Sequence, residues 1–175
     1  MRDGPPDGFE IRDADDSDSD GVIALYTACW GEHDGMVLDT AGEMVHLNHV
    51  GSHYERAGGA AWVAKRALAA PGAGGVAGSV AWRPIADELG ERMELQMLYV
   101  MPDARRRGLA SYLVRMVEGH MRDRGVEVLD LWSDVRFTDA HRLYRSLGWQ
   151  QLAETRFVDD LSNSTEFHFR KRLLG

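Results

Sequence analysis

Apolar positions along the 175-residue chain recur with two periods, and each change of period marks an element. Phe9 to Arg12 reads as a short first strand. Asp13 to Asp20 is dense in aspartate and serine and precedes the apolar positions Val22, Ile23, Leu25, Tyr26, Cys29 and Trp30. Acids and hydroxyls ahead of a helical pattern cap its free N–H groups and suit its dipole, so a helix is predicted there. Gly42 to Arg56 predicts a second helix, with Met44, Val45 and Leu47 as apolar positions. Ala60 to Ala67 and Val76 to Trp82 read as the arms of a hairpin turning through Pro71 to Gly75. Met93 to Met101 is an apolar-rich strand stopped by Pro102. Gly108 to Arg124 is an amphipathic helix with Leu109, Leu113, Met116, Val117 and His120 or Met121 at helical spacing. Val126 to Trp132 is a strand and Thr138 to Leu147 a helix ended by Gly148. Gln150 to Val158 and Thr165 to Lys171 make a last pair of strands. This order predicts a mixed α/β (α+β) fold with an antiparallel front half. Without an internal repeat or linker, residues 9–175 are expected to form one domain behind a frayed tail of residues 1–8.

A formal net charge of −8 disfavours nucleic acid as a partner, because phosphate binding needs a basic surface. It weakly favours the approach of cations. Cys29 is the single cysteine, which excludes an intramolecular disulfide and makes a cytoplasmic setting the natural expectation. The opening MRDGPPDGFE lacks the apolar stretch of a signal peptide. No apolar run reaches the roughly 18 residues of a membrane span, so no membrane partner is expected.

Some side-chain patterns invite sharper readings. The aspartates of residues 13–20 lack the glycine and spacing of a calcium loop. No helical pattern follows Pro71 to Gly75, which separates that turn from a phosphate loop. His46, His49 and His53 fall at i, i+3 and i+7, with Glu43 on a similar face. Such spacing could hold a metal, but a helix surface is favoured and no metal is expected. Trp62, Trp82 and Trp132 sit in strands and read most simply as core.

The most informative stretch runs from Glu94 through Leu98, Pro102 and the arginines Arg105, Arg106 and Arg107 to Gly108 and Ala110. An apolar strand enters a basic loop, then a glycine, then a long helix. Free N–H groups at a helix start, aided by the dipole, make an anion site. Gly108 lets the backbone come close to a ligand, Ala110 avoids a clash, and arginines reach phosphates bidentately. The ligand implied is a diphosphate or a similar anion. No GxxxxGK[ST] occurs and GxGxxG is missing there, which removes the common nucleotide motifs.

The stretch resembles motif A of the GNAT superfamily of N-acetyltransferases, [RQ]-x-x-G-x-[GA] after a strand, with Arg105, Gly108 and Ala110 at its fixed positions. Leu98 to Pro102 looks like the family's fourth strand and its exit. Ala140 to Trp149 resembles motif B, A-x-x-L-Y-x-x-x-G-F. The resemblance implies a mostly antiparallel sheet of about seven strands, splayed between the fourth and fifth and flanked by about four helices. It also implies acetyl-CoA as acyl donor, a small-molecule or peptide amine as acceptor, and permits a homodimer.

By the same resemblance, the backbone of Leu98, Tyr99 and Val100 would pair with the pantetheine arm, as in strand addition. Arg105, Arg106, Arg107, Gly108, Leu109, Ala110 and Ser111 would cradle the pyrophosphate. Tyr144 matches the tyrosine that protonates the departing thiolate, a role that suits a phenol at neutral pH. Glu94 is the candidate base for the incoming amine. Without a bulge, Glu94, Gln96, Leu98 and Val100 would share one strand face. Phe137 stands where the family often has asparagine, and Thr138, Asp134 or Arg136 would have to substitute. Trp30, His33, Asp34 and His46 are candidate acceptor contacts, as is Asp134. A catalytically idle acetyl-CoA-binding module, a longer acyl donor or a hydroxyl acceptor are the alternatives.

Overall fold

The structure is a computed structural model and describes residues 4–67, 75–87 and 90–174. Residues 71–74 of the expected hairpin turn and residues 1–3 of the expected tail lie outside the described residues. Seven strands are joined in one sheet: β1 (Phe9–Asp13), β2 (Ala60–Arg66), β3 (Val76–Asp87), β4 (Gly90–Val100), β5 (Val128–Asp134), β6 (Gln150–Phe157) and β7 (Thr165–Arg172). Their spatial order is β1-β2-β3-β4-β5-β7-β6. Among the described residues only β4 and β5 pair in parallel; the other neighbours are antiparallel. Among the described residues the α-helices are α1 (Ser19–Trp30), α2 (Val50–Arg56), α3 (Leu109–Asp123) and α4 (Thr138–Ser146).

Two apolar clusters hold the helices to opposite faces. Val22, Leu25 and Tyr26 of α1 and Val50 and Tyr54 of α2 pack on Val63, Ala81 and Met97. On the other face, Leu109, Leu113, Val117 and Met121 of α3 meet Val80, Trp82, Leu95 and Leu129, with Tyr144 and Trp149 alongside. Each fully buried leucine of this kind contributes about 2 kcal/mol of transfer free energy. Buried in the same layer, Glu118 of α3 accepts both hydrogen bonds from Lys171 Nζ at 2.8 Å and one from Trp149 Nε1 at 3.0 Å. That one carboxylate ties α3 to β7 and to the end of α4.

The acidic stretch before α1 divides into two tasks. Asp15 caps a 3-10 turn over Asp16–Asp18 in a reciprocal capping box. Asp18, the buried partner in that box, also receives Arg12 of β1 at 2.7 and 2.8 Å and Lys65 of β2 at 2.8 Å. The expected helix over Gly42 to Arg56 is shorter than its apolar pattern. Residues 40–44 are turns, Val45–His49 is a 3-10 turn, and the α-helix begins at Val50. The Asp39 carboxylate takes the N–H groups of Ala41 and Gly42 at 3.1 and 3.0 Å, a local bond that competes with helix. In contrast, β3 and β4 extend past the expected ends into a long hairpin, with Pro84 opposite Met93. Pairing of β2 with β3 stops at Trp82, so the missing N–H of Pro84 has no ladder to break on that side.

Candidate active site

β4 and β5 pair only at Met93–Leu129 and Glu94–Asp130. Past that point they diverge, and a cleft of about 540 Å³ opens between them. A bulge shapes its β4 wall: Ser79 faces Tyr99 while Ala81 faces Gln96, so β4 carries one extra residue. Met97 holds φ 56° at that bulge, and Ser79 Oγ donates to its carbonyl at 2.7 Å. The expectation of one shared face from Glu94 to Val100 is therefore corrected. Met97 and Tyr99 pack toward α1 and α2, whereas Leu95, Leu98 and Val100 pack toward α3.

The exit of β4 turns through Arg105 to Gly108 into α3. Arg106 has φ 60° and Gly108 φ 81°. A Cβ at Gly108 would meet nothing within 4 Å, so its glycine requirement is conformational rather than steric. Among the described residues, no partner is recorded for the N–H groups of Arg106, Arg107 and Gly108, and those of Leu109, Ala110 and Ser111 are the free donors of the helix start. Alternating left-handed residues ahead of a helix dipole gather these donors into an anion-binding concavity.

The three arginines are not equivalent. Arg105 donates from Nε to the Val100 carbonyl at 3.0 Å and from its guanidinium to Glu32 at 2.5 and 3.1 Å. It is a strut between the end of α1 and β4, and the Val100 carbonyl is already in use. Arg107 donates to the Asp7 carbonyl at 2.8 Å and lies 4.6 Å over the Phe9 ring. Arg106 is exposed, and among the described residues its side chain has no recorded partner.

Tyr144 of α4 enters the cleft from the side opposite α1. It is 5% exposed, packs on Phe169 at 5.3 Å, and burial pushes its phenol well above the ordinary value. Across the cleft, Tyr99 Oη accepts from Trp30 Nε1 at 2.9 Å, and its phenol is likewise pushed up by burial. Arg105 and Ala110, which flank the loop of free N–H groups, and the protonated phenol of Tyr144 thus border one opening between splayed strands.

The model of the acetyltransferase (GNAT) family matches residues 20–149. The chain belongs to the GNAT acetyltransferase family. A GNAT-family acetyltransferase from Staphylococcus aureus Mu50 is similar in fold, with a TM-score of 0.74 and 14% identity over 95% of this chain and 99% of that one. A ribosomal-protein-alanine N-acetyltransferase from Brucella melitensis gives 0.70 and 22%, over 93% and 99%. A protein from Salmonella typhimurium solved with its cofactor acetyl-CoA gives 0.69 and 18%, over 95% of each chain. No curated protein sequence matches the chain significantly. The splayed seven-strand sheet is thus that of the GNAT family.

The lining of this cleft is richer in polar groups than the sequence suggested. Trp30, His33 and Asp134 line it, whereas Asp34 and His46 are not among its walls. His46 lies instead against His53 at 4.8 Å, and burial and that neighbour push its pKa down to about 4. Asp134 is held by Arg136 at 2.7 and 2.8 Å. Phe137 meets the edges of His33 and Tyr99 and closes one wall with carbon. Glu94 is 5% exposed and stands behind Gln96, whose Nε2 donates to it at 2.6 Å; Gln96, not Glu94, lines the cleft. Trp132 is not core: it lines the cleft, stacked on His168 at 4.4 Å and under Arg156 at 4.5 Å. Sequence reading missed Glu166 and Arg156, which also line it. The available signal was the run Glu166, His168, Arg170, charged or polar at every second position of a strand paired on both sides. Among the described residues, no group of three metal-ligating side chains occurs and no helix is long and apolar enough to cross a membrane.

Proposed function

We propose that this GNAT protein transfers the acetyl group of acetyl-CoA directly to a primary amine of a small molecule or peptide. The observation that carries the reading is that Ala110, in the first turn of α3 behind the free N–H groups of the loop, lines the same cleft as Tyr144. The residues fit the donor: a concavity of free N–H groups suits a pyrophosphate, and exposed Arg106 adds a mobile positive charge. The apolar gap between β4 and β5, walled by Leu98, Ala110 and Leu143, suits a pantetheine arm. Bound acetyl-CoA would supply a thioester carbonyl for attack.

Tyr144 donates its proton to the leaving sulfur, for which a buried and fully protonated phenol is well matched. The Tyr99 hydroxyl, fixed by Trp30, orients groups on the opposite side. Glu94 adds buried negative charge one side chain behind the wall, which favours an acceptor arriving as a cation. Arg105 supports the loop rather than the phosphates in this reading.

Titration with acetyl-CoA while following thermal unfolding tests the proposal. Ligand at about 100 times Kd adds about 2.7 kcal/mol. For a domain of this size that raises Tm by about 5–10 °C. Arg106→Glu should cut the shift sharply, and amine-dependent release of CoA thiol should follow. No shift with any acyl-CoA would end the assignment.

A further inference from the structure

We propose that Glu166 of β7 is the carboxylate that receives the acceptor's ammonium group and takes its proton. The inference rests on the amine-acetylation reading and deepens it.

Glu166 has the position and the chemistry. Its register partners are Asp134 on β5 and Arg156 on β6, so it stands in the sheet floor beneath the acceptor half of the cleft. It lines the same opening as Tyr144 and Tyr99, and its side chain is 20% exposed. Arg156 Nε donates to Oε2 at 2.5 Å, and among the described residues no donor is recorded for Oε1. One oxygen is anchored, and the other is left for a ligand. Glu94 lacks the position: it is not a cleft wall, and the Gln96 amide that donates to its Oε1 lines the cleft in its place. A neutral amide between carboxylate and cleft is a poor path for a proton.

The charged groups facing Glu166 are Arg156 from β6, Glu94 from β4 and Asp134 from β5. Burial pushes its carboxyl up, the Arg156 contact pulls it back, and the charges of Glu94 and Asp134 push it up again. The net rise moves it toward the range in which a general base works near neutral pH. Glu166 and Tyr144 line one opening, so base and acid face the same space.

The step balances without a further reagent. The acceptor R–NH3+ gives one N–H proton to Glu166. The nitrogen lone pair then forms the C–N bond at the thioester carbonyl carbon. The C–S bond breaks as sulfur takes the Tyr144 proton. The second nitrogen proton is lost, Tyr144 and Glu166 return to their starting states through solvent, and one proton is released per turnover.

Glu166→Gln, Glu166→Asp and Glu94→Gln separate the alternatives, with spermidine, lysine methyl ester and phenethylamine as acceptor probes and thiol release as the rate. At pH 7, Glu166→Gln should lower kcat about a hundredfold or more. Its residual rate should climb with pH toward the pKa of the amine itself, since only amine already neutral can then react. Glu166→Asp should recover part of the rate, and Glu94→Gln should lose less. The stabilisation by acetyl-CoA should be the same in all variants. In the free protein, a pH titration of 13C-labelled glutamate carboxyls should show one signal titrating above the ordinary range and absent in Glu166→Gln. Wild-type rate and pH profile in Glu166→Gln, the larger loss in Glu94→Gln, or an ordinary titration of Glu166 would overturn the inference alone. Binding of acetyl-CoA without acetylation of any of the three amines would overturn it together with the amine-acceptor reading. Absence of acetyl-CoA binding would overturn the cofactor reading first.

Discussion

Replacing Tyr144 by Phe deletes a single hydroxyl and separates what this side chain does for the fold from what it does for the reaction. The ring is 5% exposed and packed on Phe169 and Trp149, and Phe keeps those contacts. Among the described residues no hydrogen bond to the hydroxyl is recorded, so its removal leaves no buried partner stranded. The stability change should stay within about 1 kcal/mol, or about 3 °C in Tm. The reaction should respond differently. A positioned proton donor contributes roughly 10²–10⁴ in rate, which at 1.36 kcal/mol per decade is about 3–5 kcal/mol of barrier. Burial holds the phenol protonated through neutral pH, so the wild-type profile should show no loss of the donor below about pH 10. The assay is steady-state thiol release with a fixed amine, beside an acetyl-CoA thermal titration of the same preparation. Expected is a kcat down by about two decades or more with the acetyl-CoA shift preserved. A kcat within about fivefold of wild type would refute the proton-donor role. So would a loss of acetyl-CoA affinity as large as the loss of rate, because the tyrosine would then be a binding contact.

Other side chains carry predictions of their own. Glu118→Ala leaves the Trp149 indole without its acceptor and strips the Lys171 ammonium of its carboxylate, leaving it the Leu147 carbonyl, so stability should fall by about 3 kcal/mol in chemical denaturation. Arg105→Ala should lower Tm by about 3 °C through the lost Val100 and Glu32 bonds, yet weaken acetyl-CoA binding less than Arg106→Glu does. Burial pushes Asp18 up, but hydrogen bonds from Arg12 and Lys65 and from the Asp15 N–H outweigh it, and its pKa is lowered. Its contribution is therefore complete above its unfolded value of about 3.9 and is lost as pH falls through the lower folded value. Acid unfolding of Asp18→Asn should accordingly begin from lower stability and show a flatter limb below about pH 4.

Local chemistry made much of this legible in the chain alone. The amphipathic period of α3 survives folding because Leu109, Leu113 and Val117 recur on one side whatever they pack against. Arg105-x-x-Gly108-x-Ala110 could be read because a left-handed residue before a helix is a demand on one glycine, here at φ 81°. Motif B was legible for a similar reason, since Tyr144 and Trp149 lie within one helix and its exit.

Only the tertiary structure decided how these pieces share a cleft. The β4 bulge depends on Ser79, eighteen residues before Met97, and it alone sends Glu94 and Val100 to different faces. The loop arginines looked alike in sequence, yet Glu32 and Asp7 occupy two of them and leave Arg106. Glu166 lies 72 residues from Glu94 by their numbering, and neither local period nor spacing relates them. Burial, a neighbouring charge and a free oxygen are properties of a place between strands. They arise only when β4, β5, β7 and β6 come side by side, which is why the backbone pattern could be read along the chain while the lining of the cleft had to be read across the sheet.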